Sequence, residues 1–326
     1  MELRKIAIVC GGDSSEVEVS LKSARGLNTF INHEQYQVWI VVIQSGNWSV
    51  RLDEKRMAPI DKNDFSFVLE GRRVRFDFAW ITIHGTPGED GRLQGYFDLI
   101  GLPYSCCGVL AAAITFNKFI CNQFLKGFGV KVAESIMLRK GQTITEEQVI
   151  ETVGLPCFIK SNVGGSSFGV TKVKQKEEIA EAIEKAFAEG PEVIIEAFMD
   201  GIEVTCGCYK TAKGTQLLPI TEVVSKNEFF DYEAKYKGQV EEITPARIPD
   251  ETRDRIHTIT SLIYDILGCK GIIRADYIIQ KDGIHLLEVN TTPGMTTTSF
   301  IPQQVEAAGL VMGEVMADII EDSFQK

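Results

Sequence analysis

Gly271-Ile-Ile-Arg-Ala-Asp-Tyr-Ile-Ile-Gln280, Lys281-Asp-Gly283 and Ile284-His-Leu-Leu-Glu-Val-Asn290 read together as a β-hairpin. Two apolar, β-branched runs flank a three-residue turn whose last member is glycine. Pairing Gln280 with Ile284 sets Asp276 opposite Glu288 and Arg274 opposite Asn290. Side chains alternate along a strand. Arg274, Asp276, Glu288 and Asn290 therefore share one face, and Ile273, Ala275, Tyr277, Leu287 and Val289 take the other. Two carboxylates directly across a hairpin repel, and a hard cation removes that cost. Magnesium takes oxygen ligands, typically one or two carboxylates together with substrate phosphates. Asn290 adds a neutral oxygen, and Arg274 a cationic fork suited to phosphate or a developing oxyanion. The alternative is a hairpin whose polar face is merely solvated. Against it stands the next segment, Thr291-Thr-Pro-Gly-Met-Thr-Thr-Thr-Ser299, which brings hydroxyls and flexible backbone beside the four polar residues.

Upstream, Lys160-Ser-Asn-Val-Gly-Gly-Ser-Ser-Phe-Gly169 lies between strands expected over Cys157–Lys160 and Gly169–Lys174. No Gly-Lys-[Ser/Thr] follows and no helix opens there, so this is neither a Walker A loop nor a dinucleotide fingerprint. A glycine-rich hairpin folds over phosphates equally well, with backbone N–H groups and the Ser166 and Ser167 hydroxyls as donors. A flexible surface turn has the same composition, and Lys160 tips the balance only slightly toward an anion site. Lys118 lies in a largely apolar helical stretch, Phe116–Phe128, where a surface lysine is the plainer reading. Glu196 and Glu203 flank residues 197–202 and suit an adenine amino group or ribose hydroxyls. Phe198 and Met199 suit either the wall of an adenine pocket or a core.

The N-terminal region alternates strand and helix. A strand over Lys5–Cys10 meets a Gly-Gly turn, and a helix runs on to Phe30 with Ser15 as its N-cap and Glu18 three residues later. Further strands are expected over Val38–Ile43 and Phe78–Ile83, the latter ending in the turn-rich His84-Gly-Thr-Pro-Gly-Glu-Asp-Gly91. Residues 46–77 mix polar turns and short strands and read as an elaboration. Strand, helix, strand indicates an α/β fold. Helices are expected over Glu146–Val153 and Glu177–Ala188 and a strand over Val193–Glu196, with strands dominating from there to the closing helices.

The 326 residues suffice for two or three domains, and the 44% apolar and 24% charged composition is that of a globular protein. A formal net charge of −11 disfavours a broad nucleic-acid face and leaves room for a local basic cleft. No signal peptide and no run of membrane-spanning length is visible. The eight cysteines form no CxxC pair and the four histidines are dispersed, which favours reduced thiols in the cytoplasm over disulfides or zinc.

Six stretches, in order, carry a likeness that no single one would: Cys10-Gly-Gly-Asp-Ser-Ser-Glu16-Val-Glu-Val-Ser20, His84–Gly91, Lys160–Gly169, Asp231-Tyr-Glu-Ala-Lys-Tyr236, Arg274-Ala-Asp276, and Glu288 through Ser299. Across nearly its whole length the chain resembles the D-alanine–D-alanine ligase family of the ATP-grasp fold. The resemblance implies an α/β architecture with α+β elements in three domains. These are 1–106, an N-terminal open parallel sheet of Rossmann-like type that binds the first substrate and forms a homodimer interface; 107–196, a central ATP-grasp subdomain with the glycine-rich loop; and 197–326, a C-terminal subdomain with the magnesium site and second-substrate loop. It implies that ATP phosphorylates the carboxylate of one D-alanine and that the amine of a second attacks the acylphosphate through a tetrahedral intermediate. Glu16 resembles the acceptor of the first ammonium group, with Ser166 and Tyr236 as its hydrogen-bond partners, and His84 the histidine beside the first carboxylate. Lys118, Lys160 and Lys235 resemble nucleotide-binding lysines, and Glu196 and Glu203 the adenine and ribose contacts. Asp276, Glu288 and Asn290 match the ligands of two magnesium or manganese ions. Arg274 and the Gly294 amide resemble the oxyanion stabilisers, and Ser299 the anchor of the second carboxylate. Ser161 departs from the family's usual proline and Phe168 from a smaller branched residue, while residues 44–77 look longer than compact members need.

Rival readings are a depsipeptide ligase using D-lactate, another ATP-grasp amino-acid ligase, a metabolite kinase, and a non-catalytic nucleotide-binding module. Tyr236 favours the dipeptide enzyme over the depsipeptide one. Retention of Arg274, Asp276, Glu288 and Asn290 together argues against a decayed module.

Overall fold

The computed structural model describes residues 3–163, 169–225 and 240–325, with Ser225 and Val240 described by backbone alone. The first unit comprises β1 (Arg4–Gly11), α1 (Val17–Phe30), β2 (Tyr36–Gln44), β3 (Asn47–Arg51), β4 (Met57–Pro59), β5 (Phe67–Leu69), β6 (Arg72–Val74), β7 (Phe78–Ile81) and α2 (Arg92–Ile100). Its sheet has the order β4-β3-β2-β1-β7. β2 and β7 run parallel to β1, as expected of an open α/β sheet. β3 and β4 add an antiparallel edge, because the segment after Gln44 folds straight back on β2. That elaboration has a structural purpose. Its Trp48, Phe65 and Phe67, followed by Phe76, pack with Trp39, Tyr96 and Phe97 over one face of the sheet, the Phe65 and Phe97 rings 4.9 Å apart.

The start of α1 differs from expectation. Neither Ser15 nor Glu16 caps it with a side chain. Ser14 does the local work instead, its Oγ accepting from the Glu16 N–H at 3.2 Å and donating to the His84 carbonyl at 2.7 Å. One turn on, buried Ser20 accepts from the Gly11 N–H and donates to the Thr82 carbonyl. The turn after β1 is thus fixed to the end of β7.

The second unit comprises α3 (Val109–Phe116), α4 (Lys118–Lys126), β8 (Ser135–Arg139), α5 (Glu146–Val153), β9 (Cys157–Ser161), β10 (Thr171–Val173), α6 (Ile179–Glu189) and β11 (Glu192–Ala197). Its antiparallel sheet runs β10-β9-β11-β8. The single helical stretch expected over 116–128 is broken at its start. Asn117 leaves helical geometry at φ −92° and ψ 98°, and its side chain accepts from the Ile120 N–H to cap α4.

The third unit comprises β12 (Ile202–Thr211), β13 (Gly214–Leu217), β14 (Thr221–Ser225), β15 (Val240–Ile243), α7 (Asp250–Ile266), β16 (Ile272–Gln280), β17 (Gly283–Asn290), α8 (Phe300–Ala307) and α9 (Met312–Asp322). Its sheet runs β15-β14-β12-β16-β17, with β13 paired to β12. One face packs on α7 and takes in Cys107, Ala111, Cys121 and Leu125, so α3 and α4 sit on this sheet rather than on their own. α8 and α9 reach back to the first unit, where Ile301, Met316 and Ile320 share a core with Ile6, Leu27 and Trp80. Gly26 lets α1 approach the loop after β17, since a Cβ there would lie 2.4 Å from the Met295 carbonyl oxygen.

The deciding hairpin forms, with one correction. Gln280 pairs with Gly283, leaving a two-residue turn, and the register shifts between Asp276 and Tyr277. Leu287 is the extra residue of that bulge. The tighter turn and the bulge cancel, so Asp276 still faces Glu288 and Arg274 still faces Asn290. The bulge also exchanges two leucines: Leu286 is in the core where Leu287 was expected, and Leu287 lines the cleft.

Candidate functional site

A cleft of about 1430 Å³ opens where the three units meet. That exceeds the roughly 300–1,000 Å³ of a typical small-molecule pocket and suits a nucleotide together with smaller substrates. Its floor is the polar face of the β16–β17 hairpin. Arg274 donates from Nε to Asp276 Oδ1 at 2.9 Å and from a terminal nitrogen to Oδ2 at 2.7 Å. The same terminal nitrogen lies 4.0 Å from Glu288 Oε1. Burial works against the Arg274 charge, yet the Asp276 and Glu288 carboxylates outweigh it and hold the guanidinium above its ordinary range. The Asn290 amide lies 3.2 Å from Asp276 Oδ2 and 3.5 Å from Glu288 Oε1. Turning that amide over directs its oxygen to the same point. Two carboxylates and an amide oxygen fit a hard cation that completes its shell with phosphate and water. Among the described residues no group of three or more His, Cys, Asp or Glu could hold a metal, so a cation here depends on Asn290 and on substrate oxygens. Thr205 of β12 donates to Asp276 Oδ1 at 2.6 Å and fixes that carboxylate from the neighbouring strand.

At one end of the cleft, Lys160 Nζ meets Glu196 Oε2 at 2.5 Å. Burial opposes the Lys160 charge, but Glu196, helped by Glu288 and Glu203, keeps the ammonium above its usual range. Phe198, Met199 and Glu203 line this end with Phe158. The Phe158 and Phe198 rings lie 5.9 Å apart, and Lys172 Nζ sits 4.1 Å over the Phe198 ring. Lys118 enters from the first residue of α4 and reaches to 4.0 Å from Glu288 Oε2.

The other end is built by Glu16, His84, Gly294 and Ser299. Glu16 stands just before α1 and His84 just after β7, brought together by the Ser14 contacts described above. Glu89 Oε2 accepts from the Gly85 N–H at 2.7 Å, and its Oε1 accepts from the Thr292 hydroxyl at 2.8 Å. Burial pushes the Glu89 carboxyl up to about 7, with the Glu16 charge adding to the effect. Ser299 Oγ accepts from the Thr296 N–H and shares a 2.7 Å hydrogen bond with the Thr296 hydroxyl, which shapes the loop carrying Gly294.

The structure thus gathers Glu16, His84, Lys118, Lys160, Glu196, Phe198, Met199, Glu203, Arg274, Asp276, Glu288, Asn290, Gly294 and Ser299 in one cleft. Ser166, Ser167, Lys235 and Tyr236 lie outside the described residues. Sequence reasoning gave no role to Thr205, Phe158 or Glu89. Glu89 stands within the His84–Gly91 loop, whose density of turn formers marked it, whereas Thr205 meets Asp276 only through strand pairing across 71 residues.

Comparison with known proteins adds an independent finding. Family models described as "D-ala D-ala ligase N-terminus" and "D-ala D-ala ligase C-terminus" match residues 5–107 and 124–321. The chain is 64% identical over 322 residues to the D-alanine--D-alanine ligase of Bacteroides fragilis, covering 98% of this chain and 99% of that one. Among solved structures it is similar to the VanG D-Ala:D-Ser ligase of Enterococcus faecalis, with TM-score 0.85 and 32% identity over 99% of this chain and 100% of that one. It is also similar to D-alanyl-alanine synthetase A of Vibrio cholerae, with TM-score 0.89 and 26% identity over all of both chains.

Proposed function

The chain belongs to the D-alanine–D-alanine ligase family of the ATP-grasp fold, and we propose that its cleft runs the reaction with the residues gathered above. The protein is an ATP-dependent ligase that joins two D-alanine molecules into D-alanyl-D-alanine for peptidoglycan precursors. A carboxylate oxygen of the first D-alanine attacks the terminal phosphorus of ATP, and ADP leaves. The amine of the second then attacks the acylphosphate carbon, and phosphate leaves as the amide forms.

Glu16 takes the first ammonium group and His84 lies beside the first carboxylate. Lys118 and Lys160 offset the phosphate charge, with Lys235 and the Ser166 and Ser167 hydroxyls assigned to the same task. Phe198, Met199, Glu196 and Glu203 receive adenine and ribose. Asp276, Glu288 and Asn290 would hold two magnesium or manganese ions, which supply positive charge where phosphate and carboxylate oxygens meet. Arg274 and the Gly294 amide act as charge develops on the tetrahedral oxyanion, the point at which preorganised donors accelerate a reaction. Ser299 anchors the second carboxylate. Ser166 and Tyr236 hold Glu16 in place and exclude water from the acylphosphate.

The observation that carries this reading is the hairpin face, with the Asp276 and Glu288 carboxylates both within 4.0 Å of the Arg274 guanidinium on the floor shared by both ends of the cleft. The protein is assayed with ATP, magnesium and D-alanine, alone and against D-serine, D-lactate and L-alanine. D-Alanyl-D-alanine is the expected product, with ADP formed one for one. A mixed product preferred over the dipeptide, or ADP formed without any condensation, overturns the assignment.

The division at 1–106, 107–196 and 197–326 is our proposed domain organisation. A homodimer is proposed through the N-terminal region, where α2 leaves Leu99 88% exposed. Sedimentation of Leu99→Asp as a monomer, against a wild-type dimer, checks it. A cytoplasmic location is supported by eight free, buried thiols. Among the described residues no helix is long and apolar enough to cross a membrane.

A further inference from the structure

Three polar side chains from three elements meet behind the cleft. Asn162, which follows β9, is fully buried and uses every group it has. Its Oδ1 accepts from the Phe119 N–H at 2.9 Å, and its carbonyl accepts from the Lys118 N–H at 3.3 Å. Its Nδ2 donates to Asn117 Oδ1 and to Glu192 Oε2, both at 2.8 Å, and its N–H donates to the Glu192 carbonyl at 3.0 Å. Glu192 Oε2 also accepts from Asn117 Nδ2 at 3.1 Å, and its Oε1 from Arg139 Nε at 3.0 Å. Burial works against the Glu192 charge, but these donors hold its carboxyl below the ordinary range.

The first turn of a helix leaves N–H groups without intrahelical partners. In α4 the first two of them, on Lys118 and Phe119, are met by Asn162 from another element. Asn117, the helix's own N-cap, meets the third, on Ile120. The start of α4 is therefore fixed to the end of β9 and not by its own N-cap alone. Each of these two elements carries one cleft lysine, Lys118 on α4 and Lys160 on β9.

We infer that Asn162 is a positioning residue for the nucleotide: through the α4 N-terminus it fixes Lys118 relative to Lys160, with Glu192 orienting the Asn162 amide. The inference rests on Lys118 and Lys160 being nucleotide contacts. A satisfied buried network of this kind sets geometry, so its loss shows where the phosphates are bound and not in the later attack by the amine.

The test is a double-mutant cycle read by KM for ATP and Kd for ADP, with kcat followed at saturating ATP. Lys118→Ala raises both constants, and Asn162→Ala raises them about tenfold with kcat nearly unchanged. In the Lys118→Ala background, Asn162→Ala adds less than about twofold. Multiplicative effects overturn the inference while leaving Lys118 in its role, and an inert Lys118→Ala removes the role and the inference together. Should Asn162→Ala not fold, Asn162→Asp decides. It sets a carboxylate oxygen against Glu192 and Asn117 Oδ1, so the constants rise. Adding Glu192→Gln restores a donor and recovers most of the loss, and failure of that rescue in a folded double variant is equally fatal.

Discussion

On the hairpin wall of the cleft, two carboxylates lie within 4.0 Å of one arginine on paired strands, with Thr205 bracing Asp276 from the next strand. On the N-terminal wall, Glu16, His84 and Glu89 stand at chain turns, where Ser14 ties Glu16 to His84 and the Glu89 carboxylate accepts from Gly85 and Thr292. The first wall concentrates opposed charge on a scaffold that cannot relax, which is what electrostatic stabilisation of a transition state requires. The second spreads weaker ties over loops, which suits locating a small zwitterion. Damage to the hairpin wall should therefore appear in turnover, and damage to the N-terminal wall in substrate affinity and in the pH dependence of stability.

Arg274→Ala tests this division most severely. Removing a preorganised donor to a developing oxyanion costs on the order of 10²–10³ in kcat, and ADP binding measured by calorimetry should persist. Turnover within tenfold of wild type would take Arg274 out of the chemistry and leave it as the counter-charge of Asp276.

Glu89→Gln probes the other wall. Its folded carboxyl titrates at about 7 against an ordinary 4.5. Between those values the folded protein holds a proton that the unfolded chain has lost, so stability falls as pH rises through the window. Above it the penalty reaches about 3 kcal/mol at most. Glutamine keeps an acceptor for the Gly85 N–H and offers a donor to the Thr292 hydroxyl. The ligand-free variant should melt higher than wild type at pH 8, and the difference should vanish near pH 4.5. A constant difference across that range would mean that Glu89 does not titrate there.

Thr205→Val is a milder test of the hairpin wall. Partners that orient metal ligands are worth about 10–100-fold in affinity or activity, so Mn²⁺ binding followed by electron paramagnetic resonance should weaken about tenfold. Unaltered Mn²⁺ affinity would show that the strands alone hold Asp276 in place.

These walls were not equally legible in the sequence. The hairpin chemistry lies in residues 274–290, where alternation alone puts four polar groups on one face. The N-terminal wall was recognisable only by resemblance, because Ser14 and Ser20 act on backbone carbonyls, and Thr292 on the Glu89 carboxylate, that are distant in the chain. The junction of Asn117, Asn162 and Glu192 left no local trace at all, since a buried asparagine and a surface one are the same letter. The capping of α1 was misread for a related reason: Ser15 has the right spacing, but Ser14 is the residue that the end of β7 can reach.

The bulge offers the finest test, because the two readings of the hairpin assign opposite roles to adjacent leucines. A regular ladder with a three-residue turn buries Leu287 and turns Leu286 outward. The bulged ladder buries Leu286, 1% exposed, and brings Leu287 to the cleft. Leu286→Ala should then cost about 2–5 kcal/mol of stability, as buried leucines do, with KM for ATP little changed. Leu287→Ala should leave thermal stability within about 1 kcal/mol and raise KM for ATP a few-fold, because only a partly exposed apolar contact to the nucleotide is lost. Reversal of the two phenotypes would restore the regular ladder. The charged face would survive that reversal, since both registers set Asp276 against Glu288 and differ only in which leucine the nucleotide meets.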